Sequence, residues 1–119
     1  MSAPYGEYPI VELNIDVGVA TRTYTFQRPY GIKITRSYGS AAAADGTDKV
    51  TPTVTVGGTT IKTCTVINAI GTIIEDAGVD ATQSDFIPAN TPFKVVLTYA
   101  GTAANVLGLQ FTLMGSVKR

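Results

Sequence analysis

KVTPTVTVGGTTIKTCTVI, residues 49–67, is the stretch that decides the fold. Its first half, 49–56, alternates valine with threonine, which is the period-2 pattern of a strand with one buried face. Gly57 and Gly58 then supply two positions that accept positive φ, as a two-residue hairpin turn requires. The stretch therefore predicts a β-hairpin whose return strand runs over 59–67.

The same alternation recurs through the rest of the chain and predicts further strands. These segments are 10–17, 21–28, 32–38, 93–99 and 106–117. The connection 68–90 is patterned weakly, so we expect an irregular path with one short strand near Ile73 and a return to the core at Phe86, Ile87 and Pro88. The four alanines at 41–44 could form a single helical turn.

Seven or eight strands without a convincing crossover helix predict an all-β fold, since parallel pairing needs long connections. We expect a single antiparallel β-sandwich, jelly-roll-like in its topology. Residues 10–119 would form this one domain. Residues 1–9 would form an N-terminal arm, because Pro4, Gly6 and Pro9 discourage both helix and ladder pairing.

Composition excludes several function classes. Nine Lys plus Arg balance nine Asp plus Glu, so net charge offers no attraction for nucleic acid. The chain has no histidine and one cysteine, which excludes histidine-based catalysis and an intrachain disulfide. We see no signal peptide and no apolar stretch of membrane-spanning length, so we expect synthesis in a cytosol and no membrane partner.

The remaining candidates for chemistry are weak. The acidic segment 75–85 carries Glu75, Asp76, Asp80 and Asp85, which could hold a cation, but the spacing of a calcium loop is missing and a solvated loop is favoured. Cys64, between two threonines in a strand, is interpreted as a packing residue. No nucleophile has a base to activate it. We therefore expect neither an enzyme nor a bound cofactor.

Side chains suited to binding are easier to find. The basic residues gather in 22–36 and the acids in 75–85. The two patches are either separate solvated faces, or they meet between neighbouring copies or on a larger assembly. Six tyrosines also raise the possibility of a sugar-stacking surface, although core packing is their default role. Tyr5 and Tyr8 differ from the others because they belong to the arm.

Four blocks of sequence carry a family resemblance. They are YTFQRPYGIKITR at 24–36, TVTVGGTTI at 53–61, IPANTPFKVVL at 87–97 and LGLQFTLMG at 107–115. In this order they resemble small β-sandwich structural proteins of tailed bacteriophage particles, over residues 22–117. The chain departs from that pattern in its alanine-rich loop and its acidic connection.

The resemblance implies a virion structural role. We expect a capsid decoration, or cement, protein that binds the major capsid protein on the outside of the phage head and stabilises the shell, as a trimer. The alternative is a carbohydrate- or receptor-binding module of a phage tail or fibre. The expected contact residues are Tyr5, Tyr8, Arg28, Tyr30 and Arg36.

Overall fold

A computed structural model of the chain describes residues 7–70, 73–77 and 86–118. Within these ranges the chain forms nine β-strands and one short 3-10 helix at Ala103–Asn105. The strands are β1 (Tyr8–Val17), β2 (Arg22–Phe26), β3 (Gly31–Ser40), β4 (Lys49–Val56), β5 (Thr59–Thr63), β6 (Ile74–Ala77), β7 (Phe86–Ile87), β8 (Phe93–Ala100) and β9 (Leu107–Lys118). The expected all-β class is confirmed.

The strands form two antiparallel sheets that pack face to face, which confirms the β-sandwich. The first sheet has the order β1-β9-β3-β6, and the two-residue β7 pairs with β3 beside β6. The second sheet has the order β2-β8-β4-β5. Ladder partners are nested around the β4–β5 hairpin, since β3 pairs with β6, β2 with β8 and β1 with β9.

The core lies between the sheets and follows from the period-2 pattern. Alternate residues of β8, namely Phe93, Val95 and Leu97, are fully buried from one side, and β9 supplies Leu109, Phe111 and Leu113 from the other. Burying each such side chain contributes roughly 1.5–3 kcal/mol. The predicted hairpin is confirmed as well, with Gly57 at φ +58° and Gly58 at φ +82° in its turn.

Strand β1 begins earlier than the sequence predicts. It starts at Tyr8, so Tyr8 and Pro9 lie in the sandwich rather than in an arm. A bulge between Pro9 and Val11 interrupts the pairing with β9, which accommodates a proline that has no N–H to donate. The bulge also turns both Ile10 and Val11 into the core.

Strand β5 ends at Thr63 instead of reaching Ile67, and Pro52 explains why. The carbonyl of Pro52 accepts the Cys64 N–H at 2.9 Å. The nitrogen of Pro52 faces the same side of β4, toward the residues that follow Thr63, but it has no hydrogen to donate to them. Regular pairing is lost there. It returns as an isolated bridge at Val50 and Ile67, whose N–H groups and carbonyls bond reciprocally at 2.9 and 3.2 Å.

The four alanines form no helical turn. Their segment is extended, with Ala41 bridged to Ile70 and Ala43 bridged to Leu107, and it closes one end of the sandwich. The short strand expected near Ile73 is β6. Of the three residues expected to return to the core, Ile87 does so and is 1% exposed, whereas Phe86 and Pro88 are exposed.

Charge is divided unequally between the sheets. The four strands of the second sheet, all within the described ranges, contain no Asp or Glu, and their charged residues are Arg22, Lys49, Lys62 and Lys94. Every acid within a described strand belongs to the first sheet, namely Glu12, Asp16, Glu75 and Asp76.

Candidate binding surface

Three of the predicted contact residues meet at one corner of the sandwich. Both β1 and β3 run antiparallel to β9, so the start of β1 lies near the start of β3. This brings Tyr8 to the turn that precedes β3. The rings of Tyr8 and Tyr30 contact edge to face, with centroids 6.5 Å apart. Arg28 completes this group, and we call the three residues the Tyr8 corner.

Arg28 ties the two sheets together at this corner. One of its Nη atoms donates to the carbonyl of Ile10 in β1 at 3.1 Å, and the other donates to the carbonyl of Gln27 at 3.1 Å. Its guanidinium carbon lies 5.7 Å from the centre of the Phe26 ring, a cation–π arrangement. Phe26 in turn stacks on Phe93 with 5.6 Å between centroids. The side chain is thus packed and hydrogen-bonded on several sides.

The loop between β7 and β8 is hydrogen-bonded to the Tyr8 corner. The N–H of Asn90 donates to the carbonyl of Arg28 at 2.8 Å, and the side-chain amide of Gln27 donates to the carbonyl of Asn90 at 3.3 Å. Asn90 has φ +55°, a left-handed conformation that asparagine tolerates better than most residues. The loop between β2 and β3 therefore has backbone and side-chain partners on both sides.

The hydroxyl of Tyr8 stays protonated far above neutral pH. Burial raises the pKa of Tyr8 to about 12, and the neighbouring Tyr30 adds to this while Arg28 opposes it. At neutral pH the Tyr8 hydroxyl is therefore uncharged.

Arg36 lies apart from this corner, on the outer face of the first sheet. Its Nε lies 2.9 Å from Glu7 Oε2, and its Nη1 lies 3.1 Å from Glu75 Oε2. A hydrogen bond to Tyr38, followed by Glu7, raises the pKa of Arg36. The structure thus pairs this basic residue with acids of the same chain, an arrangement that neither prediction for the charged patches included. Tyr5 lies outside the described residues.

The first two residues of the acidic segment face opposite sides of the first sheet. Glu75 is paired with Tyr38 on the outer face, whereas its neighbour Asp76 is paired with the buried Ser37 and points inward. There Asp76 Oδ1 lies 3.2 Å from Nζ of Lys62. Asp80 and Asp85 lie outside the described residues. No three His, Cys, Asp or Glu side chains converge as metal ligands within the described part of the chain.

Lys62 is the functional candidate that sequence reasoning missed. It is 1% exposed, because its position opposite Val54 in the ladder turns it into the sandwich. Strict alternation in the return strand would turn Ile61 inward and Lys62 outward. The bulge at Ile61 turns both inward, and the sequence gives no clear sign of that bulge.

Cys64 is buried next to this pair. It is 3% exposed, and burial raises the pKa of its thiol to about 11, opposed by a hydrogen bond with Ser37 and by Lys62. A thiol that stays protonated is a poor nucleophile. The structure places Cys64 in the core, as the packing interpretation expects.

Two shallow hollows are lined entirely by residues that the structure describes. The larger, of about 330 Å³, lies where β9 begins, and its carboxylates already accept hydrogen bonds from the protein itself. Asp45 accepts the N–H groups of Thr47 and Asp48 at 2.7 and 2.6 Å, which lowers the pKa of Asp45. The smaller, of about 120 Å³, lies on the outer face of the first sheet and is lined by Tyr38, Gly39, Ser40, Ile73, Gln110 and Thr112.

No helix in the described part of the chain is long and apolar enough to span a membrane. No family model matches the chain, and no match was found among the curated proteins or the solved structures.

Proposed function

We propose that this protein is a decoration, or cement, protein of a tailed-phage head that binds the outer surface of the shell and stabilises it. The observation that carries the proposal is the Tyr8 corner. Tyrosine and arginine are enriched among the residues that dominate binding energy at interfaces. Because Arg28 and Asn90 already hold this corner, docking would order few additional side chains.

The topology supports a jelly roll, which is part of the proposal. Successive strands lie in different sheets except for the pairs β4–β5 and β6–β7, and the ladder partners are nested so that β1 lies beside β9 and β2 beside β8. Jelly rolls occur in viral capsid domains and in lectins. Since fold alone does not specify function, this topology supports the decoration role and the carbohydrate-binding alternative equally.

We further propose that the protein acts as a homotrimer on the major capsid protein, is made in the host cytoplasm and is carried on the capsid surface of the virion. A domain of this size would bury roughly 800 Å² on a partner, which is a modest contact. Three linked copies would convert modest contacts into tight attachment by raising the effective concentration. In this proposal the protein binds and is not an enzyme.

Phage particles assembled with and without this protein provide the main test. We expect particles without the protein to lose infectivity at a lower temperature, and electron micrographs of labelled particles to place it on the head. Equal heat survival would contradict cementing, and label confined to the tail would contradict the location. Light scattering of the purified protein would test the trimer.

The part played by the Tyr8 corner is tested with paired surface variants. Gln27→Glu adds a negative charge at an exposed position beside Arg28, and Thr98→Glu adds the same charge on the exposed face of β8. We expect the first variant to reduce occupancy on the particle and the second to leave it unchanged. Equal occupancy of both would remove this corner from the proposal. Deleting residues 1–6 tests the arm while keeping Tyr8 in its strand.

A carbohydrate-binding module is the second candidate, and the smaller hollow favours it. Tyr38 offers an aromatic ring there beside the amide of Gln110 and the hydroxyls of Ser40 and Thr112. The lining thus combines one aromatic ring with three side chains that can hydrogen-bond to a sugar hydroxyl. A glycan array with the wild-type protein and Tyr38→Ala tests it. Binding lost in the variant would favour this candidate, and an array without hits would count against it.

A further inference from the structure

Lys62 and Asp76 face each other between the two sheets. Lys62 stands opposite Val54 in the second sheet, and Asp76 stands opposite Ser37 in the first sheet. Val54 and Ser37 are both buried, so the register turns both charged side chains inward. Their side chains are 2% and 22% exposed, and Lys62 Nζ lies 3.2 Å from Asp76 Oδ1.

The other oxygen of this carboxylate is held separately. Thr65 Oγ1 donates a hydrogen bond to Asp76 Oδ2 at 3.0 Å. The carboxyl group is thus fixed between an amine on one oxygen and a hydroxyl donor on the other. The amine is thus held 3.2 Å from one oxygen of the carboxyl group with which it would react, and such positioning removes the entropic cost of bringing two groups together.

Condensation would remove the charge that Lys62, whose side chain is 2% exposed, carries into the sandwich. Taking two charges out of water costs several kcal/mol per ion, and their mutual attraction repays this only with good geometry and further hydrogen bonds. A neutral amide in the same place buries no charge and keeps the Thr65 hydrogen bond.

We propose that Lys62 and Asp76 condense into an amide cross-link within the chain. A proton passes from Lys62 Nζ to Asp76 Oδ1, which makes both groups neutral. The Nζ lone pair then attacks the Asp76 carboxyl carbon, and Thr65 donates to the negative Oδ2 of the tetrahedral intermediate. A second Nζ proton moves to Oδ1, the bond from the carbon to Oδ1 breaks, and one water molecule leaves. No oxidant, metal or cofactor takes part.

The product joins edge strands of different sheets. Strand β5 ends the second sheet and β6 lies at the far side of the first sheet, so the link closes one side of the sandwich covalently. This inference rests on the contacts of the two residues and does not depend on the proposed function.

Mass spectrometry of the full-length wild-type protein tests the proposal. We expect the denatured protein to be lighter than its sequence by one water molecule. Trypsin should fail to cut after Lys62 and so release residues 50–94 as one peptide. Cleavage of that peptide after Glu75 should give two pieces that remain joined through Lys62 and Asp76. An intact mass that matches the sequence, or normal cleavage after Lys62, would overturn the proposal.

Controls separate this link from other dehydrations. Loss of water can also arise at Asp45, which precedes Gly46, and a loss located there would overturn the proposal. Lys62→Arg should restore the full mass, while Lys94→Arg, a matched change at an exposed lysine, should still lack one water. Thr65→Val should lower the condensed fraction of freshly made protein, and an undiminished fraction would overturn the role of Thr65.

Discussion

At the scale of single residues, the two sheets are connected by polar side chains. The alternation in the sequence would place such side chains on the surface. Arg28 uses two of its donors on backbone carbonyls, one of them in the opposite sheet. Lys62 and Asp76 make the second connection at the other side. Neither connection could be predicted, because each depends on which residues the register places opposite one another.

We expect Asp76→Ala to destabilise the protein strongly. Whether the two groups are ionic or condensed, the change leaves the amine of Lys62 buried without a carboxyl partner, which costs about 3–5 kcal/mol. Urea unfolding measures the loss. Glu75→Ala is the matched control, because its ion pair with Arg36 is solvent-exposed and such pairs contribute about 0–1 kcal/mol. Similar losses in both variants would contradict the buried pairing.

The thiol of Cys64 should make stability depend on alkaline pH. Its pKa is about 11 in the folded chain against 9.0 for the free side chain, so the folded state holds the proton more tightly. The resulting stabilisation is complete below pH 9 and is lost as pH rises through 11, by about 2–3 kcal/mol at 1.36 kcal/mol per pKa unit. Urea unfolding from pH 8 to about 11 should show a shallower decline for Cys64→Val than for the wild type.

At the scale of elements, the period-2 pattern predicted the strands well and their ends poorly. The centres of β4, β8 and β9 stand out because valine, leucine and phenylalanine alternate there with polar residues. The ends depend on rarer features. Pro9 introduces a bulge that extends β1, and Pro52 withholds the donor that would have continued β5.

The hairpin turn offers a direct test at this scale. Gly58 has φ +82°, where a Cβ is strained even in open space, so Gly58→Ala should cost about 1–2 kcal/mol. Gly46 is also surrounded by open space but lacks a left-handed φ. Gly46→Ala should therefore leave the urea midpoint nearly unchanged. Equal midpoints for the two variants would contradict the turn geometry.

At the scale of the whole molecule, the sequence predicted the class and architecture but only part of the candidate surface. Tyr8, Arg28 and Tyr30 are brought together by the antiparallel order of β1, β9 and β3, which no local pattern contains. Arg36 was expected among them and instead pairs with Glu7 and Glu75 on the outer face. Its partners come from distant segments, so their proximity appears only in the folded chain.

The unequal charge of the two sheets should make this protein bind a negatively charged resin although its net charge is zero. At pH 7 and low salt we expect retention on a cation exchanger through the second sheet, since no acid in its strands opposes the resin. A double change of Lys49 and Lys94 to Gln should abolish retention. Changing Lys33 and Arg36 of the first sheet to Gln alters net charge equally and should preserve retention.

The charged residues of the strands thus contribute a dipole component directed through the thickness of the sandwich. A body of zero net charge is neither drawn to nor repelled from a distant charged wall, yet its dipole experiences a torque in the field of that wall. An approaching molecule would rotate before touching, with β2, β8, β4 and β5 turned toward anions. Salt shortens the distance over which this alignment acts to about 8 Å at physiological ionic strength. Orientation would therefore be set only within a gap much narrower than the molecule itself, whose smallest extent is 26 Å.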